Sequence, residues 1–504
     1  MYTEKKESGI FWTCVFLHAA VWIILPCLLH SCWRIDDVIE HEIAAKEWVL
    51  STLKHPMLQA WHLEIVNILT NRSFAAPFIC AQMCILLAAW SVWQFGRTVL
   101  SEKAALGGAF IFLPSYFCTY QSLVYNQNLH LIAFYALTTY LCWQGYLTGK
   151  RRYWIFAGIA VGAGMNAKYP MLFIAVAVVA FLLSHKEGRK HWKTAGPYLT
   201  ALIALVLFLP QMIWIYGHDF APLRYAATSH AGSAFSDRFY FPLQFLLHQS
   251  QFWIPTLIML FPILGAVWQW KRRDTESVLT AEQIPPFILF RCRQYLFYCM
   301  FVPCGIFMVA SVISNRHLTG AYGSCLWSFL GVWALLTFRP KNGFPLPSVI
   351  RYLLLLEAAM ILFCAGSTFN HNYQGKMLPL RELGAACEKI WHKQFSEPCR
   401  YISGEWAIAG YAAWAMPERP SVLFYRDIGE YNEPPVGTWA YDSDLNEQGG
   451  LIVWNIDRYG ENPPFVKHRY PKAVLQKEPV VLLYHTWTPT PPLRVGAAVV
   501  PPKE

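Results

Sequence analysis

Charge is scarce in this sequence. Only 14% of its 504 residues are Asp, Glu, Lys or Arg, against about 25% in a typical soluble protein. So thin a supply does not cover a water-exposed surface and argues against an ordinary soluble chain. Nucleotide signatures are missing too. With no Walker motif and no G-x-G-x-x-G, an ATP-driven pump has no visible engine. The loops between apolar runs hold no G-x-S-x-G, H-E-x-x-H or C-x-x-C, which argues against a serine hydrolase or a zinc peptidase. His41, His55 and His62 stand at no standard zinc spacing. No heptad, low-complexity segment or internal repeat is present, and many transporters need pseudo-symmetric halves.

Apolar residues are abundant instead, at 55%, with 16% aromatic. The mean hydropathy of +0.29 averages two unlike parts. Up to about residue 369 the chain is a series of apolar runs, most of them long enough to cross about 30 Å of hydrocarbon as helices. Eleven spans are expected, at about 10–32, 76–96, 104–122, 128–147, 153–167, 169–184, 196–216, 250–270, 294–314, 320–338 and 350–368. The fifth and sixth are short and read as a re-entrant or tightly turned pair. The net charge of +10 sits mainly in alternate loops, such as Lys150 to Arg152, Lys186 to Lys193 and Lys271 to Arg273. That placement fits membrane orientation, not nucleic acid, and puts the N-terminus in the cytoplasm. The first run reads as a retained helix, since it lacks a small-residue cleavage site. With an odd number of spans, the first loop (about 33–75) and the tail (370–504) both face outward. The tail mixes Pro, Gly, Trp and charge, and reads as a soluble α/β domain; "GGLIVWNI" and "PVVLLYH" are its expected strands. Most of the 14 cysteines lie in apolar runs as small buried hydrophobes. Cys387 and Cys399 lie in the tail, where an oxidising compartment would allow a disulfide between them.

The outer loops carry the chemistry. The first opens "RIDDVIEHEIAAKEW". Asp36 and Asp37, held at the end of a span, could take a proton from a nucleophile or bind a divalent cation. The plainer alternative is an interfacial amphipathic helix, with Ile39, Ile43, Trp48 and Leu50 on lipid or protein and the charges in water. In the second loop, Asn126, Gln127 and Asn128 either cap the next helix or hold a polar substrate against Tyr116, Tyr120 and Tyr125. Lys168, between two apolar runs, either snorkels to the interface or binds phosphate. Arg224, His230, Arg238, His248, Arg316 and His317 add positive charge on the side where it is normally sparse, as a site for an anionic lipid head group would.

The acid pair of "IDDVIEHEIA", the "KHPMLQAW" that follows Glu47-Trp48, "YNQN" before the fourth span and "AGIAVGAGMNAKYP" resemble the GT-C class of glycosyltransferases, family 39. That family includes protein O-mannosyltransferases and the transferases that add 4-amino-4-deoxy-arabinose to lipid A. The resemblance covers most of the membrane part, while the tail matches only in position and rough composition. It implies a helical polytopic GT-C fold with a C-terminal α/β extracytoplasmic domain, in a bacterial inner membrane, with that domain periplasmic. It implies inverting transfer of a sugar from a polyprenyl-phosphate donor, such as an undecaprenyl phosphate sugar, to an extracytoplasmic lipid, polysaccharide or protein. Asp36 best matches the catalytic base, with Asp37 and Glu42 as accompanying acids. Lys54 and His55 match the region that engages donor phosphate, and Lys168, Arg316 and His317 are further phosphate partners. Tyr125, Asn126, Asn128 and Arg224 are expected at substrate. Several family members carry a second-loop aspartate where this chain has only Asn126, Gln127 and Asn128, so a divalent metal stays open, at Asp36 and Asp37 if anywhere. The alternatives are a transporter or flippase, with Glu357 in the last span as an intramembrane charge, and another lipid-linked enzyme such as an O-antigen polymerase or ligase.

Overall fold

The computed structural model describes residues 2–33, 37–229, 231–268, 284–338, 344–369, 377–423, 438–486 and 490–503. Its helices follow the apolar runs closely. They include α1 (Tyr2–Leu29), α2 (Asp37–Ala45), α3 (Leu58–Leu69), α4 (Ala76–Gly96), α5 (Glu102–Phe112), α6 (Gln127–Thr148), α7 (Arg151–Met165), α8 (Leu172–Leu183), α9 (Lys186–His191), α10 (Gly196–Gly217), α11 (Ala221–Thr228), α12 (Asp237–His248), α13 (Ser250–Trp268), α14 (Pro286–Ser314), α15 (Leu330–Phe338), α16 (Leu346–Phe369), α17 (Leu380–His392) and α18 (Trp406–Ala415). Among the described residues, five helices are long and apolar enough to cross a membrane: those at Lys6–Leu29, Ala76–Gly96, Gly196–Gly217, Pro286–Ser314 and Leu346–Thr368.

Two expected spans are broken helices. The third ends as α-helix at Phe112, just before Pro114, and continues as turns to a short 3-10 helix at Tyr120–Leu123. Proline has no N–H for the ladder and clashes with the preceding turn. The tenth starts as a 3-10 turn at Gly320–Gly323 and becomes α15 only at Leu330. Between them Ser324, Leu326 and Leu330 each donate to the carbonyl three residues back, and Cys325, Leu326, Trp327 and Phe329 are buried. Irregular backbone at membrane depth persists only where protein encloses it. The fifth and sixth spans are the expected tight pair, α7 and α8, joined through residues 166–171.

The chain divides into two compact units. The first comprises Met1–Leu25, Phe78–Tyr216 and Leu223–Cys364. Its polar interior includes Glu357 of α16, which accepts from Trp22 Nε1 at 2.9 Å and pairs with His18 Nδ1 at 2.8 Å. His18 Nε2 in turn lies 3.1 Å from the Cys118 carbonyl. The intramembrane carboxylate is thereby partnered by α1, as its cost in hydrocarbon requires.

The second unit comprises Pro26–Pro77, Gly217–Pro222 and Ala365–Glu504. The first loop, expected to belong with the membrane part, therefore packs with the tail. Its sheet runs β2 (Ser421–Val422), β1 (Tyr401–Gly404), β3 (Gly450–Asn455), β6 (Leu493–Val500), β4 (Val474–Leu475), with β5 (Val480–Leu482) also on β6. β1 is parallel to β2 and β3, whereas β6 is antiparallel to its neighbours, with Val453 opposite Ala497. Ile452, Trp454, Phe465, Tyr470 and Ala498 make the core on one side. α18 packs on α2 through Gly410, where a Cβ would come 2.8 Å from Ile39 Cγ1 and 3.1 Å from Ile43 Cγ2. Cys387 and Cys399 are buried free thiols, so the expected disulfide is not formed in the structure. Cys399 Sγ donates to the Tyr401 carbonyl at 3.4 Å instead, and burial pushes both thiols up to about 12.

Candidate active site

The predicted residues fall into two groups, one in each unit. Asp36 and His230 lie outside the described residues. Asp37 opens α2, where a carboxylate suits the positive end of the helix. The rest of α2, Val38 to Ala45, is buried, including Glu40, His41 and Glu42. This disagrees with the alternative of an interfacial helix with its charges in water. Ile39 and Ile43 face α18, and the carboxylates that share their turns must find partners inside the protein.

Each does so differently. Lys54 Nζ donates to Glu40 Oε2 at 2.5 Å, so Lys54 is an ion-pair partner of α2. His55 is buried, its ring 5.7 Å from that of His41, with Gln59 Nε2 3.2 Å from its Nδ1. Burial first, then the nearby His41 and Lys54, drives its pKa to about 3, against the pull of Asp37. A neutral imidazole is a hydrogen-bonding group and gives no charge to a phosphate. Glu42 accepts from Asn67 Nδ2 at 2.8 Å through Oε2, while buried Oε1 has no partner among the described residues. Burial raises its pKa to about 8, with Asn67 and Arg419 opposing. Near neutrality a carboxyl so raised holds its proton, and Glu42 sits in this cluster as a hydrogen-bonding group.

Sequence reading missed the rest of this cluster. Arg419 grips Glu64 of α3 in a fork, Nη1 to Oε1 and Nη2 to Oε2, both at 2.8 Å. Lys46 Nζ donates to the Arg419 carbonyl, and Arg72 Nη2 donates to the Trp414 carbonyl at 3.3 Å. Glu42, Lys46, Trp414 and Arg419 line a cavity of about 20 Å³, room for about one water. The available signal was the polar Gln59, Glu64 and Asn67 recurring on the buried face of α3. The partner of Glu64, Arg419, is 355 positions away.

In the first unit, Asn126 is the N-cap of α6, its side chain accepting from the Asn128 N–H at 2.9 Å. Lys168 is buried, and Nζ donates to Asn128 Oδ1 at 2.5 Å and sits 4.1 Å from the centroid of the Tyr322 ring. It therefore does not snorkel to the interface. A cap orients an amide, the amide receives an ammonium, and a ring faces it. Met165 and Leu172 bracket the turn that holds Lys168. Both also line an apolar cavity of about 550 Å³ between α6, α7, α8 and α10, along with Thr138, Val179, Ala204 and Phe208. A buried cation on the turn beside a carbon-lined cavity suits an anion on a hydrocarbon chain. Tyr125 is buried with its ring 5.7 Å from His130. Of the other basic residues, Arg316 donates to the Ser229 carbonyl, His317 packs on Phe241, and Arg224 is exposed on α11. The expected acid pair for a divalent cation includes Asp36, so the geometry of that site is not described.

Residues 54–214 match the family model described as dolichyl-phosphate-mannose-protein mannosyltransferase. No curated protein matches the chain. Among solved structures, ArnT from Cupriavidus metallidurans bound to undecaprenyl phosphate is similar, with a TM-score of 0.61 at 13% identity over 98% of both chains. The apo state of that protein gives 0.58, again at 13% identity over 98% of each. The resemblance to GT-C glycosyltransferases holds, and the fold of this chain is the GT-C membrane fold.

Proposed function

We propose that this protein is an integral-membrane glycosyltransferase using a polyprenyl-phosphate sugar as donor and an acceptor on the extracytoplasmic side. The observation that carries the reading is the full-length likeness to a fold solved with undecaprenyl phosphate bound. The Lys168 cluster beside the apolar groove supports it. In this reading the isoprenoid tail lies along the groove and Lys168 faces the phosphate. An acceptor hydroxyl attacks the anomeric carbon, the bond from that carbon to the phosphate oxygen breaks, and the phosphate leaves with the electron pair. The hydroxyl proton passes to the first-loop carboxylate, for which Asp36 is the assigned base. Direct displacement needs one base and inverts the centre. The site is assigned to the periplasmic face of a bacterial inner membrane, with a lipid A-like glycolipid, a polysaccharide or a protein as acceptor. A divalent cation at Asp36 and Asp37 remains part of the proposal.

The test is release of polyprenyl phosphate from a panel of polyprenyl-phosphate sugars in nanodiscs, with membrane extract as acceptor source. Asp36→Asn is expected to abolish turnover with donor binding intact. Lys168→Met is expected to raise the donor KM at least about tenfold, the loss of one charge-assisted contact. Turnover undiminished in Asp36→Asn would overturn the base, and an unchanged donor KM in Lys168→Met would overturn the phosphate assignment.

A further inference from the structure

Helix α12 and the residue that leads into it carry a stripe that the mechanism does not use. Phe235, Phe239, Tyr240, Leu243 and Leu247 are 75%, 64%, 57%, 55% and 63% exposed. At 3.6 residues per turn the four within α12 fall in an arc of about 100°, and Phe235 extends it by one turn. Single exposed apolar side chains are ordinary, but a continuous aromatic and aliphatic stripe marks a surface with a partner.

The opposite face fixes where the helix lies. Arg238 Nη1 donates to the carbonyls of Val312 and Ile313, both at 3.1 Å, in the last turn of the membrane-length helix α14. Phe245 is buried with its ring 5.7 Å from Phe307 of α14, and Phe241 meets His317 just past that helix. Asn315 holds the approach to α12 by donating to the carbonyls of Gly232 and Ala234. α12 is therefore tied to the end of α14, a helix long and apolar enough to cross a membrane. At its other end only Gln249 separates it from α13, a proline-containing apolar helix whose Ile254, Leu257 and Phe261 are also exposed. Asp237, Gln244 and His248 line the edge beyond the stripe, as a helix lying in an interface requires.

We infer that α12 is an in-plane helix seated in the bilayer interface, its apolar stripe covered by phospholipid acyl chains. The stripe is then continuous with the lipid face of α13. The helix also bears on the Lys168 cluster, since Phe307 packs on Phe245 and, at 5.9 Å, on Tyr322. The seat itself does not depend on the catalytic assignment.

The test places the photoreactive residue benzoylphenylalanine singly at Phe239, Leu243, Phe245 or Leu257 of the full chain, in nanodiscs of phosphatidylethanolamine and phosphatidylglycerol. After irradiation, intact mass is read. Phe239 and Leu243 are expected to gain the mass of one phospholipid, as Leu257 on the α13 lipid face does, while Phe245 gives only internal cross-links. Lipid adducts at Leu257 but none at Phe239 and Leu243 would overturn the inference. Cross-linking of those two positions to a second protein chain would overturn it too.

Discussion

Glu42 shows how the surroundings of a side chain, more than its place in the sequence, set its charge. The sequence puts an acid one turn into the helix that follows the acid pair, and the family resemblance makes it a site residue. Nothing in the local sequence says that Asn67 and the α18 surface enclose it, and enclosure decides its charge. The linkage has a definite sign. Its folded-state pKa of about 8 stands above the ordinary 4.5, so the folded protein keeps a proton that the unfolded chain releases. The stability from this group is full below about pH 4.5, is lost as pH rises to about 8, and changes no further beyond. Glu42→Gln keeps the shape and removes the titration. The wild-type melting temperature is expected to fall relative to Glu42→Gln across that window, by an amount equivalent to a few kcal/mol. Melting curves in a buffer series check it. A constant gap between the two proteins from pH 5 to 8 would show that Glu42 titrates normally.

Elements were more legible than side-chain partners. The boundaries of α4 and α10 follow from apolar length alone, and α7 and α8 from the shortness of their runs. The third and tenth spans were not legible as broken helices, because hydropathy records burial and is blind to hydrogen-bond pattern. Pro114 and the Gly320–Gly323 turn make the difference. β6 was missed altogether: Gly496, Ala497 and Ala498 dilute its β-branched signal, yet it is the strand on which β3, β4 and β5 all pair. At this scale the α2–α18 contact yields a prediction. At Gly410 a Cβ already comes within 2.8 Å of Ile39 Cγ1, and a branched side chain there must displace Ile39 and Ile43, the residues that bury α2. Overpacking of this kind costs about 1–3 kcal/mol. Gly410→Val is expected to lower the melting temperature and to lower turnover further than that loss explains, by shifting the first-loop acids. Gly410→Ala, with a smaller intrusion, should lie between. Equal turnover at a permissive temperature in all three proteins would show that α2 tolerates the shift.

The division of the whole chain was the least legible feature. Composition changes sharply near residue 370, and a boundary there is the natural reading. The compact unit that contains the tail nonetheless includes Pro26–Pro77, because the first loop cannot bury its own charges. Glu64 needs Arg419, Glu47 accepts from Ser421 Oγ at 2.7 Å, and the Trp33 carbonyl accepts from Tyr411 Oη at 2.6 Å. A buried carboxylate deprived of its guanidinium costs about 3–5 kcal/mol, more than a loop of two short helices can lose and stay folded. A chain ending at residue 369 therefore keeps its apolar helices but loses the partners of α2 and α3. Limited proteolysis in nanodiscs, read by mass spectrometry, is expected to cut the truncated protein within residues 37–69 and to leave that stretch intact in the full chain. Adding back the tail as a separate polypeptide should restore protection only if Arg419 is present, since Arg419→Leu leaves Glu64 without its cation. Equal protection of residues 37–69 in both chains would mean that the loop folds on the membrane helices alone, and that the tail serves something other than the shape of the candidate site.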